Sequence, residues 1–127
     1  MYSERIESCG KRIAQALTIR DMTQSELAGI TQIPKSSISL YLKGAYEPKN
    51  DRIYIIAKAL RVSEAWLMGF DVDMERTPEQ KKNDRLSELI VRMRRDATLF
   101  NLVDMLSRVP PEQLDNLSGL ISGLVKE

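Results

Sequence analysis

The sequence predicts an all-α protein in two parts, joined by a polar segment. Three observations carry that expectation. Apolar residues recur at three- and four-residue spacing along most of the chain, the period of a helix buried along one face. No stretch alternates apolar and polar residues as a half-exposed strand would. Residues 71–83 interrupt the helical period with charged and polar side chains and almost no apolar anchor. The expected organisation is therefore a front domain of residues 1–70, a linker of residues 71–83 and a helical tail of residues 84–127.

The front domain reads as five helices. Ser3 is placed to cap the first, which should run to about Arg20 with Ile6, Ile13 and Leu17 on its apolar stripe and Cys9 near the edge. Asp21 and Met22 end it. Thr23 caps the second helix, to about Ile30, and Glu26 three residues on completes a capping box. Leu27 and Ala28 should face inward. Gln32, Ile33 and Pro34 form a turn, and Pro34 suits a helix start because no backbone N–H is needed there. The third helix covers residues 35–43 and stops at Gly44. A fourth, residues 50–60, turns Ile53, Ile56, Ala57 and Leu60 to the core. Ser63 caps a short fifth helix closed by Gly69, in which Trp66 and Leu67 should seal the core.

The tail resumes the helical period. Leu86, Leu89, Ile90 and Met93 share a stripe, with Arg92, Arg94 and Arg95 on a solvated face. Asp96 can cap a further helix carrying Leu99, Phe100, Val103 and Leu106. Pro110 and Pro111 break the chain and start a last helix. Its stripe of Leu114, Leu117, Leu120, Ile121, Leu124 and Val125 is too apolar to be left in water. Those six residues are the expected oligomerisation surface. The competing reading folds the tail helices back to complete the front core.

Composition narrows the function classes. Apolar residues make up 43% and charged residues 29%, an ordinary soluble balance. There is no histidine and one cysteine, so the usual zinc sites and histidine-based acid–base catalysis lack their residues, and no internal disulfide is possible. No enzyme activity, cofactor or metal is expected. No apolar run approaches the roughly 18 residues of a membrane span, and the first residues lack the order of a signal peptide, so a cytoplasmic protein is expected. The net charge of +1 is uneven. Residues 1–70 hold ten Lys and Arg against seven Asp and Glu, and residues 71–127 hold nine against eleven. The front half thus carries the sign that suits a phosphate partner.

The third helix gives that partner a surface. With Ile38, Tyr41 and Leu42 turned inward, Lys35, Ser36, Ser37, Ser39 and Leu40 remain on the outer face. Lys35 can donate to guanine O6 and N7, Ser36 and Ser39 can serve any base, and Leu40 can touch a thymine methyl. These four are the expected base contacts. Gln24 at the start of the second helix, Ser37, and Lys43, Lys49, Asn50 and Arg52 around the helix end and the next loop are the expected backbone contacts. Two short capped helices joined by a tight turn, the second with this face, form a helix-turn-helix pattern.

Residues 11–70 resemble the Xre, or Cro/C1-type, helix-turn-helix family. The likeness rests on Thr-Gln-Ser-Glu-Leu-Ala from Thr23, on Ser-Ser-Ile-Ser-Leu-Tyr from Ser36, on Gly44 and Pro48, and on Ile-Ala-Lys-Ala-Leu-Arg-Val-Ser-Glu-Ala-Trp-Leu-Met-Gly from Ile56. The later segment is similar to lysogeny repressors of temperate phages and integrative elements of Gram-positive bacteria. The resemblance implies a five-helix, lambda-repressor-like DNA-binding domain and a transcriptional repressor. Such proteins bind double-stranded, inverted-repeat operator DNA as dimers, because a half-site of about four or five base pairs is too short to specify a genomic address. By position, the family's base readers fall on Lys35, Ser36 and Leu40 and its backbone-binding glutamine on Gln24. Three departures stand out. Gln32 occupies the turn where the family often has glycine, Leu17 and Leu42 replace a frequent Arg–Glu pair, and Leu40 stands where relatives often have a polar reader. The tail is too short and too helical for the self-cleaving peptidase domain of longer phage repressors. Release from DNA would then come from outside, through an antirepressor or a protease. The alternatives are the antitoxin of a toxin–antitoxin pair and a protein-interaction module that keeps the fold without DNA affinity.

Overall fold

The structure, a computed structural model, describes residues 4–125. All regular secondary structure among them is helical, in the order α1 (Cys9–Ile19), α2 (Gln24–Thr31), α3 (Lys35–Lys43), α4 (Asn50–Leu60), α5 (Glu64–Leu67), α6 (Pro78–Arg95), α7 (Ala97–Leu106) and α8 (Pro111–Ser122). The chain divides into two compact units, Met1–Asp84 and Arg85–Glu127.

In the first unit, five helices surround one core. Ile13, Leu27, Ile38, Ile56, Leu60, Val62 and Leu67 are fully buried at its centre, with Trp66 at the edge. The capping box at Thr23 and Glu26 forms, and Gly44 ends α3 at φ +78. Leu17 is buried and Leu42 half-buried in this same core, so neither position hosts a charge. α1 comes so close to α3 that a Cβ on Gly10 would lie 2.3 Å from the Tyr41 carbonyl oxygen. Arg12 is buried with its guanidinium 4.5 Å from the centre of the Trp66 ring, a cation–π contact. Arg20 closes the far end of α4, donating from Nε to the Leu60 carbonyl and from Nη2 to the Arg61 carbonyl, both at 2.9 Å.

α1 starts later than expected. Ser3 lies outside the described residues, and the cap is Ser8, whose hydroxyl accepts from the Lys11 amide at 3.3 Å. Ile6 is not on a buried stripe; it is 61% exposed. The cause is a distant partner. The amides of Ile6 and Glu7 donate to the Gly69 carbonyl at 2.8 and 3.2 Å, and Arg5 bridges to Phe70. Gly69 permits this with φ +102 and no side chain, since a Cβ there would fall 1.9 Å from the Glu7 carbonyl oxygen.

Of residues 71–83, expected as a linker, Val72, Met74 and Arg76 pack into the first unit, and residues 78–83 are the first turns of α6. Val72 and Met74 lie against the core, and the Met74 carbonyl accepts from the Ser63 amide at 2.7 Å. Arg76 is buried. It donates from Nε and Nη2 to both oxygens of Asp84, at 2.7 and 2.8 Å, and from Nη1 to the Val62 carbonyl at 3.0 Å. Glu64 adds a longer contact at 3.8 Å. Thr77 and Gln80 then form a second capping box that opens α6.

The second unit is different in kind. The side chain of Asp96 caps α7 through the Leu99 amide at 3.1 Å, and Pro110 opens α8. Leu114 and Leu117 are half-buried, but neither α7 nor α8 buries any residue fully. Phe100, Leu102 and Met105 on α7, and Leu120 and Ile121 on α8, are exposed, as are Leu124 and Val125 beyond it.

Candidate nucleic-acid interface

The surface built by α2, α3 and the following loop starts from backbone geometry. Gln32, between α2 and α3, has φ +59, in the left-handed region that glycine adopts freely and other residues reach at a cost on the order of 1 kcal/mol. Its side chain offsets part of that cost by donating from Nε2 to the Gly29 carbonyl at 2.7 Å. The Thr31 hydroxyl donates to the Leu27 carbonyl at 2.7 Å and accepts from the Ile33 amide at 3.3 Å, bracing the same turn.

The turn sets the start of α3 at the surface. Pro34 offers no side-chain cap, and the first helical hydrogen bonds run from the Ser37 and Ile38 amides back to the Pro34 carbonyl. The Lys35 and Ser36 amides precede that ladder and, with the helix dipole, favour an anion or an acceptor-rich groove edge. Ile38 and Tyr41 point into the core. Lys35, Ser36 and Leu40 are exposed on the opposite side, Leu40 at 38%.

Two side-chain hydrogen bonds stiffen this face. The Ser39 hydroxyl, half-buried, donates to Gln24 Oε1 at 3.1 Å. That fixes the Gln24 amide and leaves its NH₂ group as a donor. Arg52, half-buried on α4, donates from Nη1 to the Tyr41 hydroxyl oxygen at 2.7 Å. Beside α3 lies an open groove of about 460 Å³, lined by Ser37, Leu40, Tyr41, Tyr46, Lys49 and Arg52, with Glu47 and Asp51 at its acidic side. Arg5 donates to Glu47 at 2.5 Å, which holds the Glu47 carboxyl below its ordinary range.

Residues 13–67 match the helix-turn-helix family. The HTH-type transcriptional regulator DicA of Escherichia coli strain K12 is 31% identical over 78 residues, 61% of this chain and 58% of DicA. The chain therefore spans less than two thirds of that relative. Among solved structures, the P22 c2 repressor protein in complex with synthetic operator 9T is similar over 49% of this chain and 94% of its own, with TM-score 0.47 and 22% identity. A SinR protein/SinI protein complex shows TM-score 0.46 and 21% identity, covering 90% of this chain and 94% of the matched one. A transcriptional regulator from Listeria innocua shows TM-score 0.46 and 12% identity, covering 92% of each chain.

On the surface formed by α2, α3 and the following loop, the expected contact residues have distinct environments. Lys35, Ser36 and Leu40 stand free on the outer face of α3, and Lys43, Lys49 and Asn50 are exposed around its end. Ser37 borders the groove. Ser39, expected as a base reader, has its hydroxyl proton engaged by Gln24. Arg52 is held by Tyr41. Tyr46, which was not among the expected contacts, is 64% exposed at the groove edge.

Proposed function

We propose that this protein is a sequence-specific DNA-binding transcriptional repressor of the lysogeny type, reading an inverted-repeat operator as a dimer through the major groove. The observation that carries the reading is the outer face of α3. Lys35, Ser36 and Leu40 project from a helix whose first amides are uncapped, with Lys43, Lys49, Asn50 and Arg52 around it. Base-edge donors at the centre and cations at the rim are the division of labour that DNA recognition uses. The front half's excess of positive charge and the regulator DicA among its relatives support the same reading.

The tail supplies the second subunit. α7, α8 and the residues after them expose more apolar side chain than a lone helical element holds in water, so a second copy of the tail covers them. Release from DNA is then brought about by an outside protein, an antirepressor or a protease.

Labelled duplexes tiled across the DNA flanking the protein's own gene test this reading. The expected result is nanomolar binding to one inverted repeat, two chains per site, with affinity falling steeply in salt. Equal binding to every fragment at all salt concentrations would remove the repressor reading and leave an interaction module.

A further inference from the structure

We propose that Tyr41 is a positioning residue for DNA-backbone binding: its hydroxyl holds Arg52 in the groove beside α3, aimed at a phosphate. This inference rests on the DNA-binding reading above. Tyr41 joins two environments. Its ring is packed in the core at 7% exposure, so it is fixed, while its hydroxyl reaches the groove and accepts from Arg52 Nη1 at 2.7 Å. An exposed arginine loses much rotamer freedom when a ligand captures it; one already held by a rigid partner loses less.

The chemistry of the pair suits an anion. A guanidinium carries five N–H donors in a planar fork, and Tyr41 engages one of them. Because the phenol accepts that bond with an oxygen lone pair, its own proton remains for a second acceptor. Among the described residues no carboxylate pairs with Arg52, although Glu47 and Asp51 line the same groove. Glu47 is already engaged by Arg5. Arg52 therefore keeps its full charge for an incoming anion. Lys49 stands on the same groove, and Ser37 and Leu40 continue it to the reading face of α3. A phosphate of the strand that α3 reads is the occupant this placement fits.

Backbone contacts are insensitive to sequence, so the probe is a fluorescein-labelled 30-base-pair duplex (about three turns) of random sequence, titrated with the full chain at several salt concentrations. Arg52→Ala should weaken binding about tenfold and lower the salt slope by about one. Tyr41→Phe removes one oxygen and keeps the ring, and should weaken binding about three- to tenfold. The double variant Tyr41→Phe/Arg52→Ala should bind no worse than Arg52→Ala alone, because the hydroxyl acts through the arginine. Lys49→Ala, whose side chain Tyr41 does not hold, should combine multiplicatively with Tyr41→Phe. Thermal melting of each variant tracks folding separately. Tyr41→Phe binding within twofold of wild type, or a double variant equal to the product of the singles, overturns the positioning role while DNA binding stands. If wild type binds neither this duplex nor any flanking fragment, the DNA-binding reading falls and the inference falls with it.

Discussion

Arg76→Ala tests whether the polar segment after α5 is part of the first unit's fold. Arg76 is 6% exposed, and Asp84's side chain is 16% exposed. Removing the guanidinium deletes both donors to Asp84 and the donor to the Val62 carbonyl, on an almost fully buried residue. Breaking a buried pair by removing one partner costs about 3–5 kcal/mol. Asp84 retains some access to water, which places this case near the lower end, at about 3 kcal/mol. For a unit of this length that loss lowers Tm by roughly 10–20 °C. Circular dichroism melting of the full chain measures it. Arg85→Ala is the control, since its pair with Glu88 joins side chains 60% and 54% exposed and should be worth less than about 1 kcal/mol. Replacing Arg76 and Asp84 together by leucine should recover most of the loss. If Arg76→Ala melts with Arg85→Ala, residues 71–83 are a linker after all and the clamp contributes nothing.

Gly10→Ala should cost about 2 kcal/mol or more in denaturant unfolding, because the new Cβ meets a backbone oxygen that cannot swing away. Burial pushes the Cys9 thiol up to about 11 from an ordinary 9.0, so the folded state keeps a proton that the unfolded chain releases first. Wild-type stability relative to Cys9→Ala should therefore be full below pH 9 and shrink by about 2 kcal/mol as pH rises to 11, measured by denaturant midpoints across that window. Leu120→Glu places a charge on a side chain 73% exposed within its own chain, so helix content should hold while sedimentation shifts from dimer to monomer.

Local chemistry made much of the fold legible. Thr23 with Glu26, Asp96 ahead of α7, and Gly44 after α3 each satisfy backbone groups within a few residues, so sequence spacing suffices to place them. The buried positions of α4 follow from helical period alone. What escaped depends on partners far along the chain. Ser3 reads as the cap of α1 from the sequence, and the cap at Ser8 depends on Gly69 pairing with residues 6 and 7. Residues 71–83 read as a linker by composition, because nothing in the sequence shows that Arg76 meets the Val62 carbonyl and Asp84. The same holds at the candidate interface. Outward positions on α3 could be counted off the helical period, but the Ser39–Gln24 and Arg52–Tyr41 bonds require knowing how helices cross. Tyr41 read as core, which its ring is; the task of its hydroxyl depends on where α4 brings Arg52.

The central claim is that α3 reads base edges, and Lys35 is its most direct test. Binding of wild type and Lys35→Ala should be compared across a salt series, on the flanking fragment that wild type prefers and on random duplex. The account predicts that Lys35→Ala loses about 1–3 kcal/mol on the preferred site and much less on random DNA. An equal loss on both, or none on either, would contradict it and make Lys35 a solvated charge rather than a reader.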